Sequence, residues 1–262
     1  MNNNLFNEER IISRMRKRIV GVFRELLRAI RLAVFLCQCP LCGVDLVLAG
    51  EELICCRCRE KIRLNDVDQP ACPICSRPLG YEHERCGECM TNPPLFRKHV
   101  FFGRYEEELR EIILKYKYGG MQKFKNLLAD FYIEVYQSKL ADSETRGFDF
   151  IIPVPPDKGR KREFNPMLEI AEIFSQRSGI AVLSGHLEKV KKTLPQAGLT
   201  RNQRLHNLHA AFRLTGVSPV LKGKRILLID DVYTTGTTIK KCTELLVKEG
   251  ADVVAMTLAR SG

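Results

Sequence analysis

Short apolar runs alternate with amphipathic stretches over the last two thirds of the chain. The runs are rich in β-branched residues and lack polar alternation, which is typical of strands buried on both faces of a parallel sheet. The amphipathic stretches carry apolar residues every three to four positions, the period of a helix with one buried face. This order predicts an α/β domain with a parallel sheet and flanking helices. The predicted strands are 99–105, 148–154, 226–229 and 251–258, and the predicted helices are 106–118, 123–140 and the segment that follows position 238.

Residues 1–36 form a basic amphipathic segment. Apolar residues such as Ile12, Ile19 and Leu26 fall at helical spacing, and eight Lys or Arg residues interleave with them. No apolar run of about 18 residues occurs, so the sequence predicts no transmembrane helix. The segment suits a helix that contacts a membrane surface or nucleic acid, or one that docks on its own protein or on a partner. The pattern does not choose between these uses.

Ten of the eleven cysteines lie between positions 37 and 89, and eight of them form four Cys-x-x-Cys pairs. Each pair can form a tight turn that presents two thiolates to a tetrahedral zinc ion, so four pairs predict two structural zinc sites. The simplest pairing is sequential, with the first two pairs on one ion and the last two on another; an interleaved pairing would satisfy the same count. Cys37 and Cys56 are left over and are expected to be free thiols. The predicted ligands are Cys39, Cys42, Cys55, Cys58, Cys72, Cys75, Cys86 and Cys89.

The chain carries 42 basic and 31 acidic side chains, a formal net charge of +11. The excess lies in residues 1–36, at +5, and in residues 96–262, at +9, whereas residues 37–95 carry −3. A basic surface suits phosphates, nucleic acid or an anionic membrane and does not distinguish them. The acidic balance of the cysteine-rich segment argues against DNA binding by that segment itself.

Cysteine usage and the N-terminal residues predict a reducing compartment. Arg residues interrupt the apolar N-terminal positions throughout, so no cleavable signal peptide is expected. We therefore predict a cytoplasmic protein with metal-bound thiolates rather than disulfides. Asn92, Pro93 and Pro94 break the pattern and mark a boundary. The predicted segments are a basic helix at 1–36, a double zinc ribbon at 37–92 and the sheet domain at 96–262.

The most informative motif follows the apolar run 226–229. Two acids, Asp230 and Asp231, stand where this strand is expected to end, and a hydroxyl-rich turn and a helix follow them. Carboxylates at the carboxyl end of a strand can face ribose hydroxyls or a hard cation such as Mg²⁺. The turn offers backbone N–H groups, hydroxyls and a helix N-terminus, which suit a phosphate. An ordinary strand–helix turn with threonine caps is the alternative. The turn residues are Thr234, Thr235, Gly236, Thr237 and Thr238.

A second candidate loop follows the predicted strand 148–154. It carries four basic residues at the carboxyl end of a strand in the same sheet, where they could hold pyrophosphate. A solvated run of charges is the alternative. Asn165 and Pro166 then predict the start of a helix, as its cap and first position. The four basic residues are Lys158, Arg160, Lys161 and Arg162.

The order of strand, Asp-Asp, two residues and Thr-Thr-Gly-Thr-Thr resembles the phosphoribosyl pyrophosphate (PRPP) motif of type I phosphoribosyltransferases. The resemblance implies that Asp230 and Asp231 hold the ribose 2- and 3-hydroxyls and that the turn 234–238 holds the 5-phosphate. It also implies a mobile loop that closes over the reacting centre, for which 189–212 is the candidate. Purine-salvage members carry an acid at the position of Thr234, and its absence argues against hypoxanthine or guanine as the substrate.

The whole arrangement resembles the ComF family of late-competence proteins. The four cysteine pairs, Lys-x-Arg with Phe-Asn, Thr-x-x-Gln with Arg, Asn and Phe, and the Asp-Asp motif follow in that order over residues 37–260. The resemblance implies a double zinc ribbon and a phosphoribosyltransferase domain that binds PRPP with Mg²⁺. It further implies handling of incoming single-stranded DNA in natural transformation, beside a helicase or other competence-protein partner.

Two functions of different classes follow from the residues and the resemblance. In the first, the protein is a Mg²⁺-dependent phosphoribosyltransferase whose acceptor the sequence does not name. In the second, it is a nucleic-acid-binding accessory factor that senses PRPP or has lost the activity. Release of pyrophosphate from PRPP in the presence of candidate acceptors distinguishes the two.

Overall fold

The computed structural model describes residues 38–46, 53–64, 70–80, 85–140, 147–156, 165–190, 211–215 and 221–261. The chain divides into two compact units, Met1–Arg59 and Glu60–Gly262. The first cysteine cluster belongs to the first unit, and the second cluster and the sheet belong to the second. The predicted boundaries after residues 36 and 92 stay predictions, and the segment 1–36 lies outside the described residues. Within the described ranges, no helix is both long enough and apolar enough to cross a bilayer.

Strands and helices alternate through the described part of the chain, as the apolar pattern predicts. The helices are α1 (Cys56–Leu64), α2 (Gly87–Thr91), α3 (Glu107–Tyr118), α4 (Phe124–Lys139), α5 (Pro166–Ser178) and α6 (Thr237–Lys248). The strands are β1 (His99–Arg104), β2 (Phe150–Pro153), β3 (Ala181–Val182), β4 (Leu187–Lys189), β5 (Phe212–Leu214), β6 (Arg225–Tyr233) and β7 (Asp252–Arg260).

Five strands form one parallel sheet in the order β1-β7-β6-β2-β3. β6 is the central strand, with β7 on one side and β2 on the other. Its apolar run 226–229 is fully buried, as expected for a strand that is covered on both faces. β4 and β5 form a separate antiparallel pair. The predicted α/β class with a parallel sheet is confirmed.

β6 is longer than its apolar run predicts, because β7 still pairs with it after β2 has ended. On one side, β7 continues beside it until Tyr233 pairs with Arg260. On the other side, β2 ends at Pro153, which pairs with Ile229. Pro155 and Pro156 follow, and proline has no N–H to donate to a strand ladder. Among the residues that the structure describes, no strand therefore pairs with the last residues of β6 on the β2 side.

Helices α4 and α5 pack together and against the sheet through aromatic side chains. The Phe131 ring on α4 stacks on Phe102 of β1, with centroids 4.1 Å apart, and Tyr132 lies 5.9 Å from Phe174 of α5. α5 begins as predicted, because the Asn165 side chain accepts a hydrogen bond from the Leu168 N–H at 3.3 Å. These contacts fix the helices that flank the carboxyl end of the sheet.

Candidate functional site

An open cleft of about 200 Å³ lies where β2 stops and β6 continues. Ligands of open α/β sheets bind in such crevices at the carboxyl ends of the strands. Apolar side chains of Val154, Met167 and Phe212 form part of its lining. Polar side chains surround them and give the cleft charges of both signs. The polar lining residues are Lys117, Tyr118, Asn165, Lys189, Asp230, Asp231 and Thr238.

Both acids of the predicted motif line this cleft. The backbone N–H of Asp231 donates to Asp230 Oδ1 at 2.9 Å, which ties the two residues together. The Asp231 carboxylate forms an ion pair with Lys117 Nζ, in the last turn of α3. The side chains of Lys117 and Asp231 are only 20% and 14% exposed, so water screens the attraction between them only weakly.

The acid pair has an unusual charge state. Removal from water and the neighbouring Asp231 charge raise the pKa of Asp230 to about 8, against the opposing effect of Lys117. Burial alone would lower the pKa of Lys117, but its contact with Asp231 outweighs burial and raises that pKa. Near neutral pH, Asp230 therefore keeps its proton beside the Lys117–Asp231 ion pair.

Tyr132 holds the strand in place at the acid pair. Its ring is fully buried, and its hydroxyl donates to the Asp230 carbonyl oxygen at 2.5 Å. The bond lies on the β7 side of β6, because Ile229, the residue before Asp230, has its carbonyl directed to β2, where it accepts from the Val154 N–H. Tyr132 thus ties α4 to the backbone of β6 at the acid pair.

The turn after β6 carries the groups expected of a phosphate site. Thr234 and Thr235 are exposed, and Thr235 Oγ1 lies 2.8 Å from Thr237 Oγ1. Gly236 precedes α6 with a φ of +73°, a left-handed conformation that glycine adopts without strain. Gly236 has no side chain to cap α6, and the Thr237 N–H contacts only Thr235 Oγ1, at 3.5 Å. The first turn of a helix offers further N–H groups that suit an anion.

Two predicted parts of the site lie outside the described residues. One is the basic loop with Lys158, Arg160, Lys161 and Arg162, and the other is most of the predicted closing loop, 191–210. The two ends of the closing loop are described and form the β4–β5 pair. Lys189 ends β4 and Phe212 begins β5, and the two residues pair with each other. Both line the cleft, so the predicted loop starts and ends at the site.

Sequence reasoning missed two of the polar cleft residues, Lys117 and Tyr118. Lys117 lies in the last turn of α3, where a basic residue is favourable whether or not it also serves a site. A signal was nevertheless present, because Gly119 and Gly120 end α3 immediately after Tyr118 and allow the chain to turn at the mouth of the cleft. Tyr118 is 55% exposed there, an unusual position for a large aromatic side chain.

The eight predicted metal ligands form two groups of four, in the sequential pairing. In each group the four Sγ atoms lie within 4.8 Å of one another. Neighbouring Sγ atoms are 3.6 Å apart between Cys42 and Cys55 and 3.5 Å apart between Cys75 and Cys86. Sulfur atoms around a tetrahedral zinc ion are separated by roughly 3.8 Å, given Zn–S bonds of about 2.3 Å. Both groups therefore fit zinc, and the described cysteines form no disulfide. Their order matches a double zinc ribbon.

Comparisons with known proteins agree with this arrangement. Residues 178–260 match the Phosphoribosyl transferase domain family. Competence protein F of Haemophilus influenzae is 30% identical over 220 residues, which cover 83% of this chain and 93% of that protein. The DNA utilization protein YhgH of Escherichia coli strain K12 is 30% identical over 222 residues, with 82% and 93% covered. Competence protein ComFC of Bacillus subtilis is 25% identical over 229 residues, with 82% and 87% covered.

The matches extend beyond the phosphoribosyltransferase domain. They cover more than four fifths of this chain and nearly the full length of the relatives. The two cysteine clusters and the parallel sheet with its acid pair are consistent with a shared architecture. The chain therefore belongs to the ComF family, the family of competence protein F.

Proposed function

We propose that the protein binds PRPP with Mg²⁺ in the cleft at the end of β6 and acts as a phosphoribosyltransferase. One observation carries the proposal. The acid pair and Thr238, in the first turn of α6, line the same crevice at the carboxyl end of the central strand. Ribose hydroxyls and a phosphate are the two ligand groups that these features recognise.

Each group in the site has a proposed role. Asp230 and Asp231 accept hydrogen bonds from the ribose 2- and 3-hydroxyls. The turn Thr234, Thr235, Gly236, Thr237 and Thr238 donates N–H and hydroxyl groups to the 5-phosphate. Lys158, Arg160, Lys161 and Arg162, which lie outside the described residues, remain the predicted pyrophosphate ligands.

Lys117 sets a condition on binding. It is paired with Asp231, so the ribose must share this carboxylate with Lys117 or replace it. PRPP carries anionic phosphates, to which a displaced Lys117 ammonium can turn. Mg²⁺, when bound, supplies positive charge to the pyrophosphate group. Carboxylate oxygens of the cleft are suitable ligands for that hard cation.

The transfer reaction follows from this binding mode. The bond from ribose C1 to the pyrophosphate oxygen breaks, and pyrophosphate leaves with the electron pair. The acceptor forms the new bond to C1 and loses a proton. Positive charge develops on the sugar in a loose transition state, and the Asp231 carboxylate beside the ribose stabilises it.

An accessory role is the second candidate, and the cleft itself gives it some support. Asp230 keeps its proton near neutral pH. Position 234 is a threonine, so it supplies no further acid to assist an acceptor. A protein of this kind would bind PRPP as a signal without turning it over. Pyrophosphate release on mixing PRPP with candidate acceptors supports the enzyme. Tight PRPP binding without release, across nucleobase, amine and carboxylate acceptors, supports the accessory role.

Calorimetric titration of PRPP with and without Mg²⁺ tests the binding site. Asp231→Asn and Thr235→Ala should each weaken binding about tenfold, since charge-assisted bonds contribute roughly 1.5–3 kcal/mol. Ser138→Ala, on α4 and away from the cleft lining, is the control and should bind as the wild type does. If both cleft variants bind PRPP like the wild type, the site lies elsewhere.

Gly236→Val would also place a side chain in the phosphate turn, but weaker PRPP binding by this variant could have two causes. A Cβ at position 236 would overlap the ring of Tyr233, and its positive φ disfavours any larger residue. The variant should therefore distort the turn as well as block it. Thr235→Ala avoids this problem because Thr235 is exposed and has an ordinary backbone.

We also propose that the protein handles single-stranded DNA. Two of the relatives are named competence proteins and another a DNA utilization protein. The net charge of +11 favours a polyanion as a partner. The helix predicted at 1–36, a helicase or other competence-protein partner and cytoplasmic localisation remain predictions. So does a division into a basic helix, a double zinc ribbon with one zinc ion in each cluster, and a PRPP domain.

A further inference from the structure

The second cysteine cluster, Cys72, Cys75, Cys86 and Cys89, contacts the elements that carry the phosphate turn. We propose that this cluster supports the turn through Tyr233, so that anion binding at the turn depends on metal in the second cluster. Tyr233 is the positioning residue of this arrangement. The inference rests on the proposed function, because it takes the turn 234–238 as the phosphate-binding element.

Tyr233 lies directly under the turn. It is the last residue of β6 and only 4% exposed. Its ring fills the space in which a side chain at position 236 would stand. The glycine is therefore required by the tyrosine, and the turn packs down onto the ring. A ring that moved would leave the backbone of Gly236 without support.

Two residues of other strands hold the Tyr233 ring. The His99 ring of β1 lies 4.3 Å from it between centroids, and the Arg260 guanidinium of β7 lies 5.3 Å from its centroid. Both residues are buried. His99 Nε2 also contacts Thr257 Oγ1 at 2.9 Å, which fixes the orientation of the imidazole ring.

The same two residues contact the first knuckle of the cysteine cluster. Arg260 Nε donates to the Cys75 carbonyl oxygen at 3.1 Å, and His99 Nδ1 lies 3.3 Å from that oxygen. The backbone of His99 is bonded to the knuckle as well. Its N–H donates to the Ile74 carbonyl at 2.7 Å, and its carbonyl accepts from Ser76 Oγ at 2.5 Å. One knuckle therefore positions both side chains that hold Tyr233.

The second knuckle reaches α6 by a different route. Glu88 stands between Cys86 and Cys89 and forms an ion pair with Lys240 in the first turn of α6. The Lys240 N–H donates to the Gly236 carbonyl at 2.8 Å, so the ion pair acts on a residue bonded to the turn. Arg77 Nη2 holds the other Glu88 carboxylate oxygen at 3.2 Å, which restricts the carboxylate to this position.

Metal is what keeps these knuckles in place. All four cysteines are at most 5% exposed and share one apolar cluster with Ile239 and Cys242 of α6. Knuckles this short have few apolar side chains of their own, and segments of this kind depend on metal for their fold. Loss of the ion would release the Cys75 carbonyl and the Glu88 carboxylate together. Arg260 and Lys240 would lose partners, and the turn would become more mobile.

Hydrogen exchange of the full-length, metal-loaded protein tests this inference without any ligand. Tyr233→Ala and Glu88→Gln should speed exchange of the amides in 234–241 by roughly fivefold or more, a change that corresponds to about 1 kcal/mol of local opening. Tyr233→Phe keeps the ring, so its amides in 234–241 should exchange at the wild-type rate. Asp130→Asn, which breaks the ion pair between α4 and α5, is the matched control and should leave these amides unchanged.

The metal itself is tested by paired replacements in the two clusters. Cys72→Ser with Cys75→Ser should speed exchange in 234–241 and weaken PRPP binding in calorimetry. Cys39→Ser with Cys42→Ser, in the other compact unit, should change neither. If the variant of the second cluster does not fold, the Tyr233 and Glu88 variants still decide whether contacts to this cluster support the turn.

Two results would overturn the inference. One is unchanged exchange in 234–241 for both Tyr233→Ala and Glu88→Gln. The other is an increase in the exchange rate in Tyr233→Phe as large as in Tyr233→Ala, because the ring would then not be what supports the turn. A wild-type protein that bound no PRPP would remove the proposed function. The exchange rates would still show whether the cluster holds the turn.

Discussion

Lys117 Nζ and the Asp231 carboxylate form an ion pair at the floor of the cleft, between the last turn of α3 and the end of β6. The pair stands beside Asp230, a carboxyl group that keeps its proton near neutral pH. One ammonium thus stands beside two carboxyl groups, of which only Asp231 is charged near neutral pH, in a largely buried part of the protein. This arrangement makes the stability of the protein depend on pH and on Lys117.

Lys117→Gln should lower the free energy of unfolding by about 1–3 kcal/mol, because it leaves the Asp231 carboxylate without its charged partner. The loss should be larger at pH 9 than at pH 6. Without the ammonium, the pKa of Asp230 rises further, so its destabilising effect continues to grow above pH 8, where the wild-type effect levels off. Urea denaturation at the two pH values measures the difference.

Lys115→Gln is the matched control for this prediction. Lys115 is on the same helix and pairs with Glu111, but that pair is exposed and should contribute less than about 1 kcal/mol. A Lys117→Gln loss that is no larger than this, or that is equal at both pH values, contradicts the prediction.

Asp230→Asn should flatten the dependence of stability on pH between about 5 and 8. The folded-state pKa of Asp230, about 8, lies above its ordinary value, so the folded protein binds a proton that the unfolded chain has already lost. Stability therefore falls as pH rises through this window, and asparagine cannot ionise. At pH 8 the variant should be at least as stable as the wild type, although it should bind PRPP weakly.

Thermal unfolding at several pH values measures this slope. Asp130→Asn is the control, because Asp130 is half exposed on α4, and its slope should run parallel to that of the wild type. If Asp230→Asn also runs parallel to the wild type, Asp230 does not hold a proton in the folded protein.

The sequence predicted the position of the acid pair but not the reason that it is accessible. The run 226–229 and the two acids were evident, as were the prolines that end β2. The cleft exists because β7 continues beside β6 up to Arg260 while β2 stops at Pro153. Neither partner nor register can be read from one strand's residues, because pairing is a tertiary property.

Contacts between distant residues account for what sequence reasoning missed. Lys117 looked like a favourable charge at a helix end, and only the fold brings it to Asp231. Cysteine spacing predicted two tetrahedral groups, since the ligands of each are close in sequence. It could not show that Cys75 contacts Arg260, which lies far along the chain in β7. The spacing of cysteines predicts the ligands of each metal site, but it does not predict which distant residues contact that site.

Binding of single-stranded DNA should depend steeply on salt and little on sequence. If about four phosphates are neutralised by Lys and Arg, counterion release lowers the affinity roughly 50-fold between 50 and 200 mM salt. Few aromatic residues lie among the basic runs, so base stacking should contribute little. Fluorescence anisotropy with two unrelated labelled oligonucleotides of equal length measures both properties. Salt-independent affinity, or no binding at 50 mM, would show that the basic excess serves another purpose.

Metal analysis of protein purified without chelator should give about two zinc ions per chain, one for each group of four cysteines. Replacing Cys39, Cys42, Cys55 and Cys58 together by serine should leave one ion, because the sequential pairing keeps the second group whole. An interleaved pairing would lose both ions, since each site would then lack two ligands. Cys56→Ser is the control. Cys56 is exposed beside the first group but belongs to neither, so this variant should retain two ions.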